Sequence, residues 1–155
     1  MRYRRFGRTD IRMPVLSCGG MRFQQSWKPE DEVGPESQAN LEGTVRRALD
    51  LGIVHIETAR GYGTSEAQLG RILPGLSRDR VIVQTKVGPT EDPAEFERHL
   101  EESFARLGLE YLDLLAIHGI NSPRHLEWTL GGCLEVAERF RDEGRIRHLG
   151  FSSHG

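Results

Sequence analysis

Five short apolar runs, each separated from the next by a longer amphipathic stretch, constrain this chain more than any other feature. The runs cover residues 15–18, 53–56, 81–87, 112–117 and 146–151. They are β-branched or leucine-rich and nearly continuous in hydrophobicity, the pattern of strands covered on both faces. Between them apolar residues recur at helical spacing. Leu41, Val45 and Leu49 form one stripe, which ends at Gly52. Phe96, Leu100, Phe104 and Leu107 form a second, with Asp92 as its cap, Pro93 at its first position and Gly108 as its stop. Leu130, Leu134, Ala137 and Phe140 form a third, which ends at Gly144. A shorter helix is expected from Thr64 or Ser65 to Ile72, closed by Pro74. The opening "YRRFGRTDIRMP" reads as a small β-hairpin with Thr9 and Asp10 near its turn.

Strand and helix alternate four times before a fifth strand. That order calls for an α/β fold with a parallel sheet and crossover helices. Two architectures satisfy it: an open doubly wound sheet, or part of a (β/α)₈ barrel. A complete barrel takes about 250 residues, and the chain has 155. No linker, repeat or low-complexity run divides it, so residues 1–155 are read as one domain. The longest irregular stretch, residues 22–36, follows the first strand, where a functional loop of such a fold lies.

Charge narrows the function. A net charge of -2 with scattered Lys and Arg gives no electrostatic footprint for nucleic acid or an anionic membrane. There is no apolar stretch of membrane-spanning length and no leader-like start, so a cytoplasmic protein is expected. Cys18 and Cys133 stand far apart in apolar contexts and read as free buried thiols. No metal-ligating set is nominated.

Side chains on a strand alternate between its faces. Ile53, His55 and Glu57 therefore share one face, as do Ile82, Gln84 and Lys86, and Leu114, Ala116 and His118. Three successive strands each end in an ionisable residue: Glu57, Lys86 and His118. Parallel α/β folds place active sites at that end of the sheet. Tyr62 follows Glu57 in the next loop and can fold over the same rim. Taken singly, a strand-end lysine snorkels to water and a tyrosine beside glycines packs a turn; four such groups on one rim point to chemistry. His55 and Gln84 lie one layer deeper and are assigned hydrogen-bonded core roles. His99 and His125 are expected in solvent, and Phe23, Trp27 and Trp128 are the aromatic candidates for pocket walls. A phenol is a poor acid near neutral pH, and an adjacent ammonium is expected to lower its pKa. A carboxylate would hold that ammonium in place, and a histidine would orient a carbonyl oxygen. Such a set suits protonation of a carbonyl that receives a hydride, which only a cofactor can supply.

At these residues the chain resembles the aldo/keto reductase family. The segments "FGRTDIRMPVLSCGGMR", "HIETARGYGTSEAQLG", "VIVQTKVG", "YLDLLAIH" and "GRIRHLGFSSH" follow that family's order across essentially the whole chain. The resemblance implies a partial (β/α)₈ barrel of about five parallel strands with outer helices. It implies an NAD(P)H-dependent oxidoreductase that reduces an aldehyde or ketone to an alcohol. Tyr62 would be the proton donor, assisted by Lys86, His118 and Glu57, which stands at the family's aspartate position. Gly20, Met21 and Arg22 would lie along the cofactor. Ser152 and Ser153 would replace the family's Ser-Asn at the carboxamide. NADPH is the expected cofactor, with NADH as the alternative, and a small carbonyl compound the expected substrate.

Two departures from the family pattern shape the expectations. Glu57 has one methylene more than aspartate, and the chain stops just past the fifth strand, before the segments that read the cofactor's adenosine phosphate. A competing reading follows: a truncated, inactive member that acts as a protein-binding or half-barrel subunit, by self-association or with a complementary C-terminal half. A third reading makes Lys86 a Schiff-base nucleophile.

Overall fold

The computed structural model describes residues 1–154. A two-stranded antiparallel hairpin, β1 (Tyr3–Arg5) and β2 (Arg12–Pro14), precedes a five-stranded parallel sheet. The sheet strands are β3 (Cys18–Gly19), β4 (His55–Glu57), β5 (Ile82–Val87), β6 (Leu112–Ile117) and β7 (Ile146–Phe151). They lie side by side in chain order, so β3 and β7 are its edges. The helices are α1 (Pro35–Asp50), α2 (Ser65–Gly70), α3 (Pro93–Leu107), α4 (Pro123–Trp128) and α5 (Leu134–Asp142).

One face of the sheet carries the core. Ile56, Val83, Val87, Leu115 and Ile117 pack with Leu41 and Val45 of α1, Leu69 of α2, Phe96, Leu100 and Phe104 of α3, and Phe140 of α5. The other face carries His55, Glu57, Gln84, Lys86, Leu114, Ala116 and His148, aligned by the registers His55↔Ile82, Glu57↔Gln84, Lys86↔Ala116 and Leu114↔His148. This face is mixed rather than apolar.

Asp92 caps α3 by accepting a hydrogen bond from the Ala94 amide (2.9 Å), and Gly108 ends the helix at φ 63°. The first two strands begin later than their apolar runs. Val15 donates its amide to the Arg2 carbonyl (3.0 Å), which extends the hairpin, and both Val15 and Leu16 are exposed. Ile53 donates back to Ala48 (2.8 Å) and so closes α1 instead of opening a strand. The third helical stripe is broken. Leu130 is exposed, residues Thr129–Cys133 form a π-type turn, and Gly132 (φ 145°) sits where a side chain would overlap Pro93. The helix after Thr64 is shorter than expected, and a 3₁₀ turn follows at Leu73–Gly75. Cys18 and Cys133 are free and buried. Among the described residues no helix is long and apolar enough to cross a membrane.

Candidate active site

At the C-terminal ends of β4, β5 and β6 the structure brings the four ionisable residues together. Lys86 projects from β5 with its ammonium against the Glu57 carboxylate on β4. The same nitrogen donates to the Thr58 carbonyl (3.1 Å) and lies 4.6 Å from the centre of the Tyr62 ring. The His118 ring stands edge-on to Tyr62, with centroids 5.7 Å apart and planes at 85°. Main-chain bonds fix each position: Thr58 to Gln84 (2.9 Å), Arg60 to Lys86 (2.9 Å) and His118 to Val87 (2.8 Å). The longer side chain of Glu57 does not prevent contact with Lys86.

The electrostatics differ from expectation at one residue. The ammonium was expected to lower the Tyr62 pKa, but burial raises it. Burial is the cause; the Lys86 ammonium lies over the ring, 4.6 Å from its centre. Tyr62 is therefore a protonated phenol at neutral pH. Burial brings the Lys86 ammonium down to about 8, which leaves it mostly charged at pH 7. His118 is held below its usual value, first by burial and then by the charges of Lys86 and His154, so it is a neutral imidazole.

Beneath the rim, His55 takes the core role assigned to it. Its Nε2 meets Gln84 Oε1 at 3.1 Å and its Nδ1 meets Ser17 Oγ at 2.7 Å. An amide oxygen can only accept, so Nε2 carries the proton and Nδ1 accepts from Ser17.

The expected cofactor segment borders the same rim. The Gly20 amide donates to the Glu57 carbonyl (2.6 Å), and a Cβ at Gly20 would meet Ser65 Oγ at 2.6 Å. Met21 is half-buried and Arg22 exposed. Ser152 knits β6 to β7: its Oγ accepts from the Gly119 amide (3.0 Å) and its carbonyl from Ile120 (2.8 Å). Ser153 follows it and is exposed. Gly20, the exposed Arg22 and the Ser152 hydroxyl are the groups that could hold the nicotinamide end of a dinucleotide.

Not every expectation survives. His125 is half-buried, with Nδ1 against the Gly119 carbonyl at 2.8 Å, because α4 turns it back onto the loop after β6. His99 is also half-buried. Of the aromatic candidates, Phe23 is buried in the core, Trp128 is half-buried and Trp27 is exposed. Two parts of the site have no sequence signature. The Thr58 carbonyl is a main-chain acceptor, which no residue type marks. Thr64 stands at the N-cap of α2 as expected, but its side chain makes no cap bond: it accepts from the Gln25 amide (3.0 Å) and the Ser26 amide (3.3 Å) and donates to Gln68 Oε1 (2.8 Å). With Gln68, which also accepts from Gln25 (3.0 Å), it clasps the long loop after β3 to the Tyr62 turn.

The model of the aldo/keto reductase family matches residues 15–155. L-glyceraldehyde 3-phosphate reductase of Escherichia coli (strain K12) is 29% identical over 171 residues, an alignment that covers 99% of this chain and 46% of that protein. Among solved structures, the thermostable aldo-keto reductase Tm1743, in complex with the inhibitor epalrestat, superposes with a TM-score of 0.81 at 28% identity, covering 97% of this chain and 53% of the other. An aldo-keto reductase from Klebsiella pneumoniae in complex with NADPH gives 0.73 at 28% identity, over 92% of this chain and 46% of the other. The chain thus spans about half the length of these relatives, and its sheet is part of a (β/α)₈ barrel.

Proposed function

The chain belongs to the aldo/keto reductase family, and on that premise we propose that its rim reduces the carbonyl of an aldehyde or ketone, with Tyr62 as the general acid. The observation that carries this reading is the arrangement around Tyr62. A phenol kept protonated by burial has a charged lysine 4.6 Å from its ring and a neutral histidine edge-on at 5.7 Å. The phenol donates to the carbonyl oxygen and passes its proton as the oxygen gains charge. Lys86 then stabilises the resulting phenolate, and the Glu57 carboxylate and Thr58 carbonyl hold the ammonium in place. His118, neutral, offers a ring N–H to the same oxygen and so fixes the carbonyl's approach. NADPH, with NADH as the alternative, supplies the hydride when bound. Gly20, Met21, Arg22, Ser152 and Ser153 are the residues that would hold its nicotinamide end.

The contacts of Lys86 with Glu57 and the Thr58 carbonyl favour a charged lysine and so disfavour the Schiff-base reading. A second reading retains support from the sheet edges. β3 and β7 each have one neighbour, and Phe151 on β7 is 71% exposed. Unpaired edges of this kind recruit further strands. The chain would then work as a half-barrel subunit, completed by a second copy or by a polypeptide that carries the remaining strands. Replacement of Tyr62 by Phe tests the first reading. Turnover of a carbonyl substrate should be abolished while cofactor affinity stays within a few-fold, because the phenol acts in the chemical step. A Phe variant that keeps most of its turnover would move the proton donor to another residue, His118 first.

A further inference from the structure

Behind the rim, on the helix-packed side of the sheet, a second polar set is buried more completely than the site itself. Thr58, Ser65, Glu66 and Thr85 have no exposed surface. Glu66 Oε1 accepts a hydrogen bond from Thr85 Oγ1 at 2.7 Å. Its other oxygen makes no hydrogen bond of ordinary geometry; Arg106 Nη1 stands 3.6 Å away, and the buried Ser103 hydroxyl also faces the carboxylate. One residue earlier, Ser65 Oγ is hydrogen-bonded to Thr58 Oγ1 at 2.7 Å.

An apolar residue would fill the space between α2 and α3 without the desolvation that a carboxylate incurs there. What the bonds join gives them a purpose. Thr58 directly follows Glu57, and its carbonyl holds the Lys86 ammonium (3.1 Å). Thr85 directly precedes Lys86. The Ser65 amide donates to the Tyr62 carbonyl (3.0 Å). The first turn of α2 is therefore tied to β4 beside one member of the ion pair, to β5 beside the other, and to the turn that carries the phenol. Arg106 balances the charge and the Ser103 hydroxyl also faces Glu66 from α3, while the bond from Thr85, at 2.7 Å, ties it to β5.

We propose that Ser65 and Glu66 are positioning residues, which act through Thr58 and Thr85 to set the Tyr62 turn against the Lys86–Glu57 pair. Apolar packing alone would let α2 slide, and a shift of about 1 Å at a reacting group costs about 100-fold in rate. The inference rests on the reductase reading only for what the positioned groups do; the placement itself is read without it.

The experiment uses four variants of the protein and two readouts. Glu66→Leu and Thr85→Val remove the bond, while Glu66→Gln and Thr85→Ser keep an acceptor and a donor. The first readout is the pH dependence of Lys86 labelling by an amine-reactive reagent, followed by peptide mass spectrometry. The second is kcat, KM and NADPH affinity for carbonyl reduction. In the Leu and Val variants the labelling midpoint of Lys86 should rise by about one pH unit as water reaches it. There kcat should fall at least about tenfold with KM within about threefold. The Gln and Ser variants should keep both properties within about twofold. Loss of thermal stability with an unchanged labelling midpoint would overturn the proposal, as would a Gln variant that behaves like Leu. Should Glu66→Leu fail to fold, Thr85→Val decides alone. If the unaltered protein reduces no carbonyl, the reductase reading fails, and the labelling midpoints still decide the positioning.

Discussion

At the scale of the residue, Lys86 is held where folding does not favour it. Its folded value of about 8 lies below the ordinary 10.5 because it is buried. A cation with a depressed folded pKa costs nothing above its unfolded value, and the cost grows as the pH falls from the unfolded value to the folded one. Between pH 10.5 and 8 stability should therefore drop, and below 8 the buried charge is carried in full. Replacing Lys86 by Met, in a Glu57→Gln background that leaves no orphan carboxylate, should stabilise the protein at pH 7 by on the order of 1–2 kcal/mol after allowance for solvent screening. Urea midpoints at pH 7 and 9.5 check this. The double variant should gain at pH 7 and lose the part of the pH dependence that belongs to Lys86. Equal midpoints for the two proteins at both pH values would mean that the ammonium is not penalised. On the proposed reading, carbonyl reduction should also vanish in the same variant, an exchange of function for stability.

At the scale of the element, what was legible in the sequence was what depends on periodicity. β6, β7 and α3 begin and end where their apolar patterns do; at α3 the Asp92 cap and Gly108 coincide with the ends of the stripe. Strand parity placed Glu57, Lys86 and His118 on one rim without reference to any structure, since a period of two leaves a side chain little choice of face. The starts of β3 and β4 were not legible. Val15 and Ile53 are apolar, but their amides are claimed by the hairpin and by the end of α1. The break at Gly132 was hidden as well, because it answers to Pro93 on another helix. The clasp of the loop after β3 onto α2 was invisible for the same reason, and it supports a prediction. Gly63 (φ 52°) packs so closely on this loop that a Cβ would overlap the Ser26 carbonyl. Gly63→Ala should cost about 2–4 kcal/mol, from both the left-handed backbone and the overlap. It should also loosen Trp27. Denaturant unfolding and Trp27 fluorescence measure the two effects, and a loss below about 0.5 kcal/mol would show that the loop yields freely.

At the scale of the whole molecule, a sheet with two unpaired edges and a mixed inner face invites company. A polypeptide of these 155 residues should self-associate in sedimentation, and Phe151→Lys should shift it towards monomer by placing a charge on the β7 edge. Its NADPH affinity should be weak, because the rim offers contacts mainly to the nicotinamide end. Each charge-assisted phosphate contact that is lacking costs about 1.5–3 kcal/mol. A monomer that binds NADPH at micromolar concentrations would contradict both expectations. The proposed chemistry is that the rim built by Glu57, Tyr62, Lys86 and His118 delivers a proton to a carbonyl as a hydride arrives. Its most direct test is isotopic. The purified protein is incubated with NADPH deuterated at both C4 positions and a panel of aldehydes, and the alcohols are analysed by mass spectrometry. An alcohol with one deuterium at its carbinol carbon is expected from the unaltered protein and none from Tyr62→Phe. Alcohol formed without deuterium, or equal transfer by the Tyr62→Phe variant, would contradict it.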